Sequence, residues 1–173
     1  MIIALTGKMG SGKSTALELI KIRRESLYTK FAQPLYDLQQ VIYDNLGLDL
    51  AEVKYKDRKL LQVLGTDWGR ERDPNIWVNA WSKRVRQNSE LGYDTITDDC
   101  RFLNEADRVK EMGGIIIKIV GPQRGEFISG TSHASESEID LIKPDFTIVN
   151  DGCLEELNNK LERVLDEVET WEM

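Results

Sequence analysis

Apolar residues along the chain fall into short continuous blocks separated by longer stretches with a helical repeat. Met1-Ile2-Ile3-Ala4-Leu5 is an unbroken apolar run that ends at a glycine-rich turn, the pattern of a central strand buried on both faces. Ser14 to Arg24 carries Ala16, Leu17, Leu19 and Ile20 at helical spacing, which predicts a helix with one apolar face. Leu27 to Ala32 reads as a second strand. Pro34 suits the first turn of a helix reaching about Leu46, with Gly47 ending it. Asp57 to Leu64 predicts a short helix with a basic start, and Pro74 opens another that carries Ile76, Trp77, Val78, Ala80 and Trp81. Tyr93 to Asp99 reads as a strand ending in two acids. Asn104 to Met112 is helical and stops at Gly113-Gly114, and Ile115 to Val120 is a buried strand. Gly121 to Ser135 is polar and glycine-containing, as in a loop or flap. Asp145 to Val149 is a last strand, followed by an amphipathic helix marked by Leu154, Leu157, Leu161, Leu165 and Val168. Strands alternating with helices predict an α/β fold of three layers, a parallel sheet flanked by helices. Ligands of such sheets bind beyond the carboxyl ends of the strands.

The first such end carries the strongest chemical signal. Gly7-Lys8-Met9-Gly10-Ser11-Gly12-Lys13-Ser14 fits G-x-x-x-x-G-K-[ST] at every fixed position, between a predicted strand and a predicted helix. Glycines at 7, 10 and 12 allow a tight turn with inward N–H groups, and the helix start favours phosphate. In this reading Gly10, Ser11 and Gly12 line the phosphates of ATP and Lys13 reaches the β- and γ-phosphates. Ser14 ligates Mg²⁺, and Thr15 adds a hydroxyl near the α-phosphate. The motif points to triphosphate binding and leaves the reaction open, because ATPases, GTPases and small-molecule kinases share it.

Composition narrows the partners. The 173 residues suit one compact domain, with 40% hydrophobic and 31% charged residues. No apolar run is long enough to cross a bilayer, and Met1 leads directly into strand and loop, so neither a membrane span nor a cleavable leader is expected. Two cysteines, no C-x-x-C and one histidine argue against a zinc site and fit a reducing cytoplasm. A formal net charge of −7 disfavours a nucleic-acid polymer as partner but leaves room for a mononucleotide in a local basic pocket.

Two further regions supply polar chemistry. Asp98 and Asp99 stand where P-loop proteins keep an acid for the metal or its water shell. An aspartate there also suits an N-cap before the next helix, and the two roles are compatible with one per residue. Arg101 and Glu105 follow, either as a satisfied ion pair or as a substrate clamp. In the middle, Lys54-Tyr55-Lys56-Asp57-Arg58-Lys59 is the most basic stretch, consistent with a solvated helix start. Gln62, Gly65, Thr66, Asp67, Trp68, Gly69 and Arg70 then crowd polar, aromatic and glycine residues together, beyond what a core segment needs. Arginine forks suit phosphate and an aromatic face suits a base. Trp77 and Trp81, four apart on one helix, also match an ordinary core face.

Taken in order, several segments resemble the phage-type deoxynucleoside monophosphate kinases. They are Gly7–Thr15, Phe31-Ala32-x-Pro34-Leu35, Arg58-Lys59-x-x-Gln62-x-x-Gly65-Thr66-Asp67, Trp77-Val78, Asp99-x-Arg101-Phe102-x-Asn104-Glu105 and His133-x-Ser135-Glu136. The phosphate loop is shared by many families; the block from Gln62 to Thr66 and the block from Asp99 to Glu105 are the specific ones. The resemblance implies a P-loop NTPase fold with a helical acceptor-binding region over about 33–92 and a short lid over about 121–136. It implies that Arg58, Lys59, Gln62, Gly65, Thr66 and Trp77 form the acceptor pocket. Asp99, Arg101 and Glu105 would then lie where the substrates meet, with Asp99 on the metal and Asn150 beside adenine. Turn chemistry alone also explains Asn150-Asp151-Gly152. A phage source, action in the host cytoplasm and a homodimer are likewise implied by resemblance only. The lid is lean, since 121–130 holds one arginine, Arg124. His133 is favoured as a loop residue before a helix capped by Ser135 with Glu138.

The expected reaction moves the γ-phosphoryl group of Mg·ATP onto a nucleoside monophosphate. The acceptor phosphate is already a dianion near neutrality, its second pKa being about 6, so no general base is required. Positioning and charge neutralisation suffice, from Lys13 and Mg²⁺ for the donor and from Arg58, Arg101 and either Arg70 or Arg124 for the acceptor. Two rivals remain at this point. One is a P-loop kinase for another small metabolite. The other is an ATPase or nucleotide switch, against which Asn159-Lys160-Leu161-Glu162 lacks the aspartate of the guanine-reading N-K-x-D.

Overall fold

The computed structural model describes residues 1–121 and 138–171. Five strands, β1 (Ile2–Thr6), β2 (Ser26–Tyr28), β3 (Asp94–Thr97), β4 (Ile115–Val120) and β5 (Phe146–Val149), form one parallel sheet in the order β2-β3-β1-β4-β5. The helices are α1 (Lys13–Arg23), α2 (Gln33–Leu46), α3 (Arg58–Gln62), α4 (Ile76–Glu90), α5 (Leu103–Glu111) and α6 (Leu154–Trp171). A 3₁₀ turn spans Leu50–Val53, and a π-helix, Val63–Arg70, continues directly from α3.

The two-residue repeat of the strands sorts side chains into two cores. Ile3 and Leu5 of β1, Ile96 of β3 and Ile115, Ile117 and Ile119 of β4 pack under α1 and α6, where Leu17, Ile20, Leu157, Leu161 and Leu165 meet them. Ala4 and Ile116 face the other way, onto Phe31 and onto Val78, Trp81, Val85 and Val109 of the α4–α5 layer. On that face β4 continues with Lys118, which is only half-buried. The buried positions match the blocks of the sequence, and the predicted three-layer fold stands.

Two local expectations change. The second strand is shorter than Leu27 to Ala32. After Tyr28 the Thr29 N–H still reaches the Ile96 carbonyl at 2.9 Å, but the N–H groups of Phe31 and Ala32 turn to the Asp99 carboxylate. The short helix expected to end at Leu64 instead widens into the π-helix. Its cause is tertiary. The Trp77 indole N–H donates to the Gly65 carbonyl at 2.8 Å, and a Cβ at Gly69 would lie 2.5 Å from the Trp77 ring. The wider turn and the bare glycine let the ring lie flush beneath it, and such widened turns recur at functional sites. The lid expectation over 121–136, with Arg124 and His133, lies outside the described residues apart from Gly121.

Candidate active site

The phosphate loop runs from the end of β1 to the start of α1. Gly12 has φ 103°, which only glycine adopts freely, and a Cβ there would meet the Asn150 amide nitrogen at 2.3 Å. That amide donates to the Ser11 carbonyl at 3.0 Å, so the turn after β5 braces the loop. Lys13 is buried, and its ammonium donates to the carbonyls of Gly7 at 2.7 Å and Lys8 at 2.8 Å. Burial lowers its pKa to about 8; the Arg101 guanidinium adds to the drop and Asp98 opposes it. Ser14 and Thr15 stand exposed on the first turn of α1. The Ser11 hydroxyl is buried with no partner among the described residues, the state of a group whose bonding is completed by a ligand. A cavity of about 280 Å³ adjoins it, lined by Lys8, Met9, Ser11, Lys118, Gly121 and Asp140.

The two aspartates after β3 divide their work. Asp98 faces the loop, with Oδ2 3.4 Å from the Ser14 hydroxyl and Oδ1 accepting from the Tyr28 hydroxyl. Asp99 points away. It accepts from the N–H groups of Phe31 and Ala32, both at 3.0 Å, and from the Thr97 hydroxyl at 2.7 Å. Burial pushes its carboxyl above the ordinary range, against the pull of those donors. The structure therefore brings Asp98 to Ser14 and uses Asp99 to shape the turn into α2. Oxygen ligands from one hydroxyl and one carboxylate are the hard, sparse set that suits Mg²⁺ held mainly by phosphates and water. Among the described residues no group of three or more His, Cys, Asp or Glu could hold a metal by itself.

Glu105 joins the π-helix to this edge. It is 3% exposed and accepts from the N–H groups of Arg101 at 2.8 Å and Phe102 at 3.2 Å, closing the first turn of α5. Its other oxygen meets Arg70 of the π-helix at 2.9 Å, and the Arg70 guanidinium lies 3.8 Å from the centre of the Phe102 ring. Burial first, then the Asp99 charge, raise the Glu105 pKa to about 7. Arg58, Lys59, Gln62 and Thr66 are exposed along α3 and the π-helix. Gly65 is buried against Leu35, and Trp77 is 4% exposed beneath the π-helix. Trp77 thus packs behind the π-helix and is not open to solvent. The geometry brings Asp98, and not the Asp99 that the resemblance put on the metal, within reach of Ser14, and it adds Tyr28, which the sequence did not single out.

A parallel sheet in the order β2-β3-β1-β4-β5, with its phosphate loop between β1 and α1 and an acid at the end of β3, defines a P-loop protein of the small-kinase architecture. Solved structures agree on the fold. A dephospho-CoA kinase from Campylobacter jejuni superposes with a TM-score of 0.56 at 14% identity, covering 96% of both chains. TT1252 from Thermus thermophilus gives 0.52 at 18%, covering 96% of this chain and 97% of that one. The family model for deoxynucleotide monophosphate kinase matches residues 48–161. The chain belongs to the deoxynucleotide monophosphate kinase family. A relative from Acanthamoeba polyphaga mimivirus, named for the same activity, is 30% identical over 96% of each chain. The deoxynucleotide monophosphate kinase of Enterobacteria phage T4 is 33% identical over 66% of this chain and 47% of its own length.

Proposed function

We propose that this protein transfers the γ-phosphoryl group of Mg·ATP to the phosphate of a deoxynucleoside monophosphate, releasing ADP and the deoxynucleoside diphosphate. The observation that carries this reading is the meeting of Ser14 and Asp98 at the phosphate loop, in a chain of this family. Lys13 would exchange the Gly7 and Lys8 carbonyls for phosphate oxygens. Arg101, whose charge already reaches Lys13, would neutralise the group in transfer. Ser14 and Asp98 would hold Mg²⁺ directly or through water, and the ion would supply charge neutralisation across the β- and γ-phosphates. Asn150 keeps the loop in shape from the base side. The acceptor region spans about 33–92, where α2, α3 and the π-helix would form its walls. Arg58, Lys59, Gln62 and Thr66 are its exposed polar residues, and Arg70, Arg101 and Glu105 join it to the sheet. No residue is needed as a general base, since the acceptor arrives as a dianion.

The test is a coupled assay of ADP release with Mg·ATP and each common deoxy- and ribonucleoside monophosphate in turn. ADP formation that requires a deoxynucleotide and yields its diphosphate supports the reading. Release at one slow rate, with or without any monophosphate, overturns it.

A further inference from the structure

Two lysines, Lys30 and Lys56 of the basic stretch, share one tyrosine ring near the carboxyl edge of the sheet. Lys30 follows β2 by two residues, and its ammonium lies 5.1 Å from the centre of the Tyr28 ring and 5.6 Å from that of Tyr36. Lys56, in the turn before α3, lies 5.7 Å from the same Tyr36 ring. Among the described residues, neither lysine has a carboxylate oxygen within 4.0 Å. Each ring face attracts a cation, but two ammonium groups around one ring still repel each other. An anion within reach of both stems would relieve that repulsion.

Position says which anion. Tyr28 turns its hydroxyl to Asp98, and Asp98 faces Ser14 of the phosphate loop. The series Ser14, Asp98, Tyr28, Lys30, Tyr36, Lys56 therefore leads from the donor site across the carboxyl edge toward α2 and α3. Of the cations expected from sequence to serve the acceptor, Arg70 is already committed to Glu105 and Phe102. We propose that Lys30 and Lys56, presented by Tyr28 and Tyr36, form the cradle for the phosphate of the acceptor mononucleotide. The inference rests on the kinase reading above. A phosphate monoester near neutral pH carries close to two negative charges, matching two lysines. Ammonium groups on flexible stems can follow that phosphate as it moves toward the donor.

The test uses Lys30→Met, Lys56→Met and the double variant, which remove charge and keep the apolar stems. Steady-state kinetics are measured with Mg·ATP and the best deoxynucleoside monophosphate, alongside calorimetric titration of ATP and of each monophosphate. Lys30→Met should raise the acceptor KM by about ten-fold or more, the usual weight of a lost charge-assisted bond. Lys56→Met should raise it less, and ATP binding should stay within about two-fold of wild type. Inorganic phosphate should compete with the acceptor in wild type and lose that competition in the double variant. An unchanged acceptor KM in variants of an enzyme that does phosphorylate deoxynucleotides overturns the cradle and leaves the kinase reading intact. If wild type phosphorylates no monophosphate, that reading fails, and the titrations decide the cradle separately. Monophosphate binding lost in the double variant supports it, and equal binding overturns it.

Discussion

The phosphate loop and the region proposed to take the acceptor are built in opposite ways. Around the phosphate loop the backbone does the work. Ser11 is buried, Lys13 is folded onto two carbonyls, and Asn150 closes the turn from the next strand but one. Around α3 and the π-helix, side chains dominate. Arg58, Lys59, Gln62 and Thr66 are exposed, while Trp77 and Glu105 support the wall from inside. A triphosphate is the same in every turnover and suits a fixed backbone cradle. A substrate read by its base and sugar needs groups that can be exchanged one at a time.

The contrast can be broken most sharply at Lys13. Lys13→Met should lower kcat by roughly a hundred- to a thousand-fold, the scale of a lost transition-state donor, with little change in the melting temperature. A smaller loss, below about ten-fold, would move the electrophilic role elsewhere. The neighbouring aspartates give the next largest difference, in two separate readouts. Asp98→Asn should cut Mg²⁺-dependent turnover by about a hundred-fold and weaken the response of ATP binding to Mg²⁺ while leaving stability alone. Asp99→Asn should cost about 2–3 kcal/mol of stability in denaturant unfolding, because one of its backbone donors loses its acceptor. Reversal of the two outcomes would restore the metal to Asp99.

On the acceptor side the expected effects are structural. Gly69→Ala forces a Cβ to within 2.5 Å of the Trp77 ring and 2.7 Å of the Leu64 carbonyl. It should cost about 2–3 kcal/mol and raise the acceptor KM more than the ATP Kd. Glu105 gives a subtler, pH-dependent difference. Its pKa is raised from 4.5 to about 7 in the fold, so the native state holds the proton more tightly. That contribution is full below about pH 4.5 and is lost as pH rises through about 7. Wild type minus Glu105→Gln stability should therefore fall by on the order of 3 kcal/mol across this window. A flat difference in paired denaturant titrations would mean that Arg70 already holds Glu105 ionised.

These regions also differ in how far they could be read beforehand. The phosphate loop was legible because it is a local device. Its glycines and its lysine lie within one turn of chain, and the strand before and the helix after it have their own patterns. The π-helix was not, because its cause is Trp77, reaching back to Gly65 and Gly69 from the following helix. The aspartates show an intermediate case. Asp98 shares the strand parity of Ile96, which packs beneath α1, whereas Asp99 follows Thr95 and Thr97 on the opposite face. The two-residue repeat held that information, but it could be used only once α1 was known to cover the Ile96 face. Tyr28 and Lys30 were invisible for a related reason. A short edge strand of three residues carries little periodicity, and only its pairing with β3 brings Tyr28 to Asp98.

The strand order has a consequence for how the chain is made. β1 precedes the other described strands in the chain and is the central one in the finished sheet, yet its two neighbours begin at Asp94 and Ile115. Until those segments have been synthesised, the loop that follows β1 has no sheet to hang from, and Asn150, its brace, comes later still. Long-range pairing of this kind is slow to form. The nascent chain therefore carries a nucleotide motif without a nucleotide site until β3, β4 and the Asn150 turn have been made, and ATP can reward folding only from then on.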